Sequence, residues 1–77
     1  MELSQFIKDF AAQFDETEPS EFKANTAFRD FDEWSSLLGL STIAMVDELY
    51  GIRIKGDDIK NATTIEELYT IVISKQA

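Results

Sequence analysis

The sequence predicts an all-α fold, a small four-helix bundle with a short third helix and a long loop between helices one and two. Apolar residues recur at the helical period of about 3.6 residues in three segments. Serine, threonine and glycine stand where those helices would begin and end. The one alternating pair, Ile52 and Ile54, has no second strand candidate to pair with. A chain of 77 residues has room for one domain, so residues 1–77 are expected to form a single unit.

The first predicted helix has one apolar stripe that faces the core. Its members recur three and four residues apart and are Leu3, Phe6, Ile7, Phe10, Ala11 and Phe14. Residues 15–19 should end the helix, because Pro19 lacks the backbone N–H that a continuing helix requires. Residues 19–22 are expected to form a short turn.

The connection between the first two helices is about twenty residues long, which is unusual for a compact domain. Four aromatic residues interrupt it, so it is not expected to be a flexible linker. These residues are Phe22, Phe28, Phe31 and Trp34. Burial of each aromatic side chain would contribute roughly 1.5–3 kcal/mol before the entropy cost. We therefore expect the aromatic side chains to hold the loop against the helices.

The second helix is predicted from about Ser36 to Tyr50, with Gly51 as a left-handed stop. A helical wheel gives it two apolar faces. The predicted core face contains Thr42, Ile43, Val46, Leu49 and Tyr50. The opposite face contains Leu37, Leu40, Ser41, Ala44, Asp47 and Glu48. A helix that is apolar on two faces is either wholly buried or docks a partner, and the pattern favours docking in so small a domain.

The remaining third of the chain is predicted to form an extended segment, a helical turn and a last helix. Ile52 and Ile54 should face the core from residues 51–56, and residues 57–61 should form the short third helix. The last helix begins at Thr63 or Thr64, each with a glutamate three residues later as a capping box. Its buried stripe is Ile65, Leu68, Ile71 and Val72. Residues 74–77 should fray.

Composition excludes several classes of function. The net charge of −8 argues against nucleic-acid binding, which needs lysine and arginine, and suits basic protein partners instead. The chain has no cysteine and no histidine, so a metal site is not expected and only carboxylates could bind a hard cation. No apolar run approaches the ~20 residues of a membrane span, and the N-terminus lacks the basic start of a signal peptide. The expectation is a soluble cytoplasmic protein.

Two adjacent serines stand where the second helix begins. One serine oxygen is enough to cap the first turn, so Ser35 is the expected cap and Ser36 the first helical residue. The hydroxyl of Ser36 would then sit at the positive end of the helix dipole, where a phosphate is favoured. Nucleophilic catalysis is not expected, because the chain has neither a histidine nor a Gly-x-Ser-x-Gly turn.

The order of these features resembles the acyl carrier protein family over nearly the whole chain. The segments closest to the family pattern are Phe28-Arg29-Asp30-Phe31-Asp32-Glu33-Trp34 and Leu40-Ser41-Thr42-Ile43-Ala44-Met45-Val46-Asp47-Glu48. Ser36 and Leu37 match the last two residues of the family's Asp-Ser-Leu triplet. The resemblance implies that Ser36 accepts 4'-phosphopantetheine from coenzyme A through a holo-synthase or another phosphopantetheinyl transferase. The arm then holds acyl groups as thioesters for enzymes of fatty acid, lipid or secondary-metabolite synthesis. The resemblance also implies that the protein is a monomer and is not itself an enzyme.

By the same resemblance, one face of helix two corresponds to a docking surface for partner enzymes with basic surfaces. Its residues are Leu37, Leu40, Ala44, Asp47 and Glu48. The family's aspartate before the modified serine is absent, because Ser35 stands there. Two alternatives remain open: an aminoacyl, peptidyl or D-alanyl carrier, and a non-modified helical adaptor that uses the Leu37/Leu40 face.

Overall fold

The computed structural model describes residues 2–76, and the part of the predicted frayed end that falls on Ala77 lies outside them. Four α-helices follow one another: α1 (Leu3–Ala11), α2 (Ser36–Tyr50), α3 (Gly56–Lys60) and α4 (Ile65–Ser74). Two 3₁₀ turns, Pro19–Glu21 and Phe28–Asp30, lie in the long connection between α1 and α2. Residues 2–76 contain no strand, which confirms the predicted all-α bundle with its short third helix.

Helix α1 ends at Ala11, about one turn before the end that its apolar stripe predicts. A tighter turn follows, in which the N–H of Gln13 donates to the carbonyl of Phe10 and that of Phe14 to Ala11, at 3.1 and 3.0 Å. This turn keeps the ring of Phe14 buried although its backbone is no longer α-helical. Of the predicted stripe, Phe6, Phe10, Ala11 and Phe14 are buried, whereas Leu3 and Ile7 are half-buried. The helix is shorter than the stripe predicts.

The aromatic side chains of the long loop pack on α1, as predicted. Phe22 and Phe28 are buried, and Phe31 and Trp34 are half-buried against the same core. The ring of Phe28 lies 5.4 Å from that of Phe10, and the ring of Phe22 lies 4.9 Å from that of Phe14, both measured between centroids. Edge-to-face contacts of this kind add to the area that each ring buries. The loop is thus a packed layer of the domain.

The middle of the loop also pairs with the start of α4. The N–H of Ile65 donates to the carbonyl of Thr26 at 3.1 Å, and the N–H of Glu66 to that of Ala24 at 2.9 Å. The first N–H groups of a helix have no partner within the helix. The loop satisfies two of them in α4, which joins the first half of the chain to the second.

Helix α2 follows the predicted bounds, but its buried face differs from the helical wheel at three positions. Thr42 and Val46 are fully buried as expected, whereas Leu49 is 57% exposed and its assignment to the core is wrong. Leu38 and Met45 are buried instead. Both stand at the boundary between the two faces of the wheel. Leu49 lies in the last turn of α2 and lines a surface depression together with Gln13 and Glu48.

The C-terminal end of α2 is tied to α1 by a side-chain contact. The hydroxyl of Tyr50 donates a hydrogen bond to the carboxylate of Asp9, and its ring packs 6.1 Å from that of Phe6. Burial and the Asp9 carboxylate raise the pKa of the Tyr50 phenol well above its ordinary value. The phenol therefore stays protonated and keeps donating at any physiological pH.

The segments after α2 follow the predicted pattern with two differences: the short third helix is Gly56–Lys60 in place of 57–61, and Ile71 of the predicted buried stripe is half-buried. Gly51 has a φ of 67°, the left-handed stop expected of it, and Ile52 and Ile54 are both buried. Of the two candidate caps for α4, the structure has Thr64, whose Oγ1 accepts the N–H of Glu67 at 3.1 Å. The Glu67 carboxylate in turn accepts the N–H of Thr63 at 2.7 Å. Within residues 2–76, no helix has both the length and the apolar character that a membrane crossing requires.

Candidate functional site

The start of α2 is capped by the first of the two adjacent serines. Ser35 has an extended backbone, and its Oγ accepts the N–H of Leu38 at 3.4 Å. Ser36 is the first residue of the helix, and both serines are exposed. The hydroxyl of Ser36 makes no hydrogen bond with any residue in 2–76. Because Ser35 supplies the cap, the hydroxyl of Ser36 is left free for other chemistry.

The electrostatic setting of Ser36 favours an anion. The first turn of α2 contains no acidic residue, so the partial positive charge of the helix N-terminus is not offset there. A phosphate attached to Ser36 would lie where backbone N–H groups and the helix dipole stabilise negative charge. The chain has no histidine to activate the hydroxyl as a nucleophile.

An apolar groove begins beside Ser36 and runs between α2 and α3. Its volume is about 530 Å³, and Trp34, Leu40, Ile43 and Ile59 form most of its apolar wall. Ser35 and Ser36 stand at its edge together with the cationic residues Arg29 and Lys60. A group attached to Ser36 would therefore have apolar surface within reach.

Arg29 positions the wall of this groove, a role that the sequence pattern did not assign to it. Its guanidinium donates to the carbonyl of Ile59 at 2.6 Å and also to that of Ala62, while it lies 5.4 Å from the centre of the Phe28 ring. The carbonyl of Ile59 is in the last turn of α3 and that of Ala62 follows the helix by two residues, so the cation lies at the C-terminal end of α3, where positive charge is favoured. The available signal was the position of Arg29 between Phe28 and Phe31, in a loop with many carboxylates and only one other cationic residue, Lys23.

Glu33 is a second positioning residue that sequence reasoning missed. Its carboxylate accepts the backbone N–H groups of Asp15, Glu16 and Thr17 and the hydroxyl of Thr17, the last three contacts measuring 3.0, 2.9 and 2.9 Å. This joins the end of the α1 segment to the residues just before Ser35. The three consecutive N–H groups that donate to this carboxylate are distant from Glu33 in the sequence. No pattern among neighbouring residues therefore identifies these contacts.

The same contacts shift the titration of Glu33. Desolvation raises its pKa, but the hydrogen bonds from Asp15, Glu16 and Thr17 together lower it by more, so that the pKa lies below the ordinary value of 4.5. A carboxyl whose pKa is lower in the folded state stabilises the fold fully above its unfolded pKa. That stabilisation is lost as the pH falls through 4.5 towards the folded-state value.

Replacing Glu33 by glutamine should therefore remove part of the acid sensitivity of the fold. The amide has one acceptor oxygen in place of two charged ones, so the variant should be less stable than the wild type at neutral pH. The difference should shrink as the pH falls below 4.5. Denaturant unfolding over a pH series measures it, with Asp32→Asn as the matched control at neutral pH. A constant difference at every pH would contradict the role of the Glu33 charge.

The five residues expected to dock partners all lie on the solvent side of α2. Leu37 is 72% exposed and Leu40 is 64% exposed, and Ala44, Asp47 and Glu48 are exposed as well. The reading of α2 as a wholly buried helix is therefore excluded. Two large apolar side chains, Leu37 and Leu40, lie about one turn apart, and the carboxylates of Asp47 and Glu48 follow about two turns after Leu40. An exposed apolar patch with a charged border is the kind of surface that proteins use for contacts.

No protein-family model, curated protein or solved structure matches the chain. Within residues 2–76, no group of three or more carboxylates is placed to hold a metal ion.

Proposed function

We propose that this protein is an acyl carrier protein that is loaded on Ser36. The observation that carries the proposal is a free, exposed serine hydroxyl at the first position of α2, capped by its neighbour Ser35. It adjoins both an apolar groove and the exposed face of Leu37 and Leu40. A carrier needs this combination, because one residue must accept the cofactor while the surface beside it meets partner enzymes.

The residues around Ser36 fit a 4'-phosphopantetheine group. Its phosphodiester carries one negative charge, which the uncompensated N-terminus of α2 would stabilise. When attached to Ser36, the group supplies a thiol that holds acyl groups as thioesters. Arg29 and Lys60 add positive charge at the edge of the groove, and Trp34 and Ile43 add apolar surface.

The residues of the chain itself bind and orient, and they catalyse no step. Leu37, Leu40 and Ala44 would contact the partner enzyme, while Asp47 and Glu48 would attract its basic residues and increase the rate of encounter. Fatty acid, lipid and secondary-metabolite enzymes are the proposed partners. An aminoacyl, peptidyl or D-alanyl cargo uses the same serine and is the second proposal within this class.

Intact-mass measurement tests the proposal. The purified protein is incubated with coenzyme A and a broad-specificity phosphopantetheinyl transferase, and a parallel sample lacks the transferase. The expected result is a mass gain of one phosphopantetheine group in the first sample only. An unchanged mass with several such transferases would favour a non-modified adaptor that uses the Leu37/Leu40 face.

Restoring a negative charge before the modified serine should speed the loading. Aspartate caps a helix about as well as serine, so Ser35→Asp should change the free energy of unfolding by less than about 1 kcal/mol. The added carboxylate should accelerate encounter with a basic transferase, and the gain should fall as salt is added. Initial rates of loading at low and high salt measure the effect. An unchanged or slower rate at low salt would contradict it.

A further inference from the structure

A second groove lies between α1 and the segment that follows it, and it shares no residue with the groove at Ser36. Its volume is about 760 Å³. Ile7 and Ala11 line it from α1, and Phe14 and Phe22 line it from the loop. The last three of these side chains belong to the buried core, and Ile7 packs against that core while half-buried. The floor of this groove is therefore apolar and held by the packing of the domain.

The rim of the groove is acidic. Asp15, Glu16 and Glu18 line it and are exposed, and their carboxylates form no ion pair and accept no hydrogen bond within residues 2–76. Lys8 is the one cationic side chain among the lining residues. These carboxylates are thus free to pair with an external cation.

The position of this rim is set by Glu33. The backbone N–H groups of Asp15 and Glu16 donate to its carboxylate, and so does that of Thr17. The turn that carries the acidic side chains is therefore tied to the loop before α2. A surface held in place before binding loses less entropy when a partner docks.

We propose that this α1 groove binds a basic amphipathic segment of a partner protein. Large apolar side chains of that segment would lie on the floor of Ile7, Phe14 and Phe22, and its lysine or arginine side chains would pair with Asp15, Glu16 and Glu18. Charge complementarity selects this occupant, because nucleic acid and anionic lipid surfaces would both be repelled by the rim. The inference does not depend on the loading of Ser36.

The first test uses a synthetic peptide with leucine and lysine placed at helical spacing. A scrambled peptide of the same composition and a peptide with glutamate in place of lysine are the matched probes. Each is titrated into the isotope-labelled protein and followed by amide chemical shifts. We expect saturable binding of the amphipathic lysine peptide, with shifts concentrated in residues 4–22 and an affinity that falls with added salt. Equal binding of the scrambled peptide, no saturable binding, or shifts concentrated on the Leu37/Leu40 face would overturn the proposal.

Two pairs of charge reversals test whether the peptide binds at the acidic rim or is attracted only by the net negative charge of the protein. Glu16→Lys with Glu18→Lys and Asp47→Lys with Glu48→Lys change the net charge by the same amount, and all four positions are exposed. We expect the first pair to weaken binding about tenfold or more at low salt, and the second by less than about twofold. Equal losses in both pairs would mean that net charge alone attracts the peptide.

A single variant then tests whether the apolar floor contributes to peptide binding independently of the charged rim. Ile7→Glu adds a negative charge at the groove while removing an aliphatic side chain that lines it. If the floor contributes to binding, this variant binds the lysine peptide more weakly in spite of its extra charge. Tighter binding would show that the groove has no role beyond its charge and would overturn the proposal. An unfolding curve recorded beside the titration verifies that the variant is folded.

Discussion

Replacement of Ser36 by alanine should abolish the mass gain that coenzyme A and a phosphopantetheinyl transferase produce. The variant lacks the only atom at this position that can form the phosphodiester bond. Its fold should be retained, because the Ser36 side chain is exposed and makes no hydrogen bond within residues 2–76, and alanine is the best helix former. The expected effect is complete loss of loading at an almost unchanged stability.

Ser35→Ala is the matched control for this experiment. It removes the helix cap and should cost about 0.5–2 kcal/mol of stability, yet it leaves the hydroxyl of Ser36 in place. Loading should therefore persist in Ser35→Ala, with the mass gain still one group per chain. Loading that survives in Ser36→Ala and disappears in Ser35→Ala would reassign the modified serine.

Truncation of Leu38 should destabilise the fold far more than the same truncation of Leu40, two residues further along α2. Leu38 is 8% exposed and packs in the core, so Leu38→Ala should cost about 2–5 kcal/mol. Leu40 is 64% exposed, and its truncation should change the free energy of unfolding by about 0.5 kcal/mol or less. A loss of the first size is a large fraction of the stability of a small domain.

Denaturant unfolding of both variants measures the difference, and acyl transfer to a partner enzyme supplies the second readout. Leu40→Ala should transfer more slowly while remaining about as stable as the wild type, because it truncates the proposed docking surface and leaves the core intact. Large and similar losses of stability for Leu38→Ala and Leu40→Ala would show that the exposed face of α2 is buried in solution. The proposed docking surface would then be wrong.

Much of the local structure follows from neighbouring residues alone. The bounds of α2, its cap at Ser35 and its stop at Gly51 were predicted, because capping and left-handed glycines are properties of a few consecutive residues. The exposed stripe around Leu37 and Leu40 follows from the helical period once one side of the helix is assigned to the core. The candidate modification site lies in this locally determined part.

The errors occur where a neighbouring element decides the outcome. The wheel gives the direction of Leu49, but only the position of the α1 segment decides whether anything covers it, and it is exposed. Leu38 and Met45 lie outside the predicted core face of the wheel. They are buried because the core extends past the edge of that face. A helical period describes direction and carries no information about the extent of the element packed against it.

The sequence by itself determined the helical class, the order of the helices, the cap and stop of α2, and the position of Ser36 at the start of that helix. Each of these depends on interactions that span only a few residues along the chain. The tertiary structure alone decided the contacts of Glu33 with residues 15–17 and of Arg29 with Ile59 and Ala62, and hence the shapes of both grooves. These contacts join segments that are 16 to 33 residues apart. No local pattern specifies them, because a hydrogen bond to a distant backbone group depends on where the folded chain places that group.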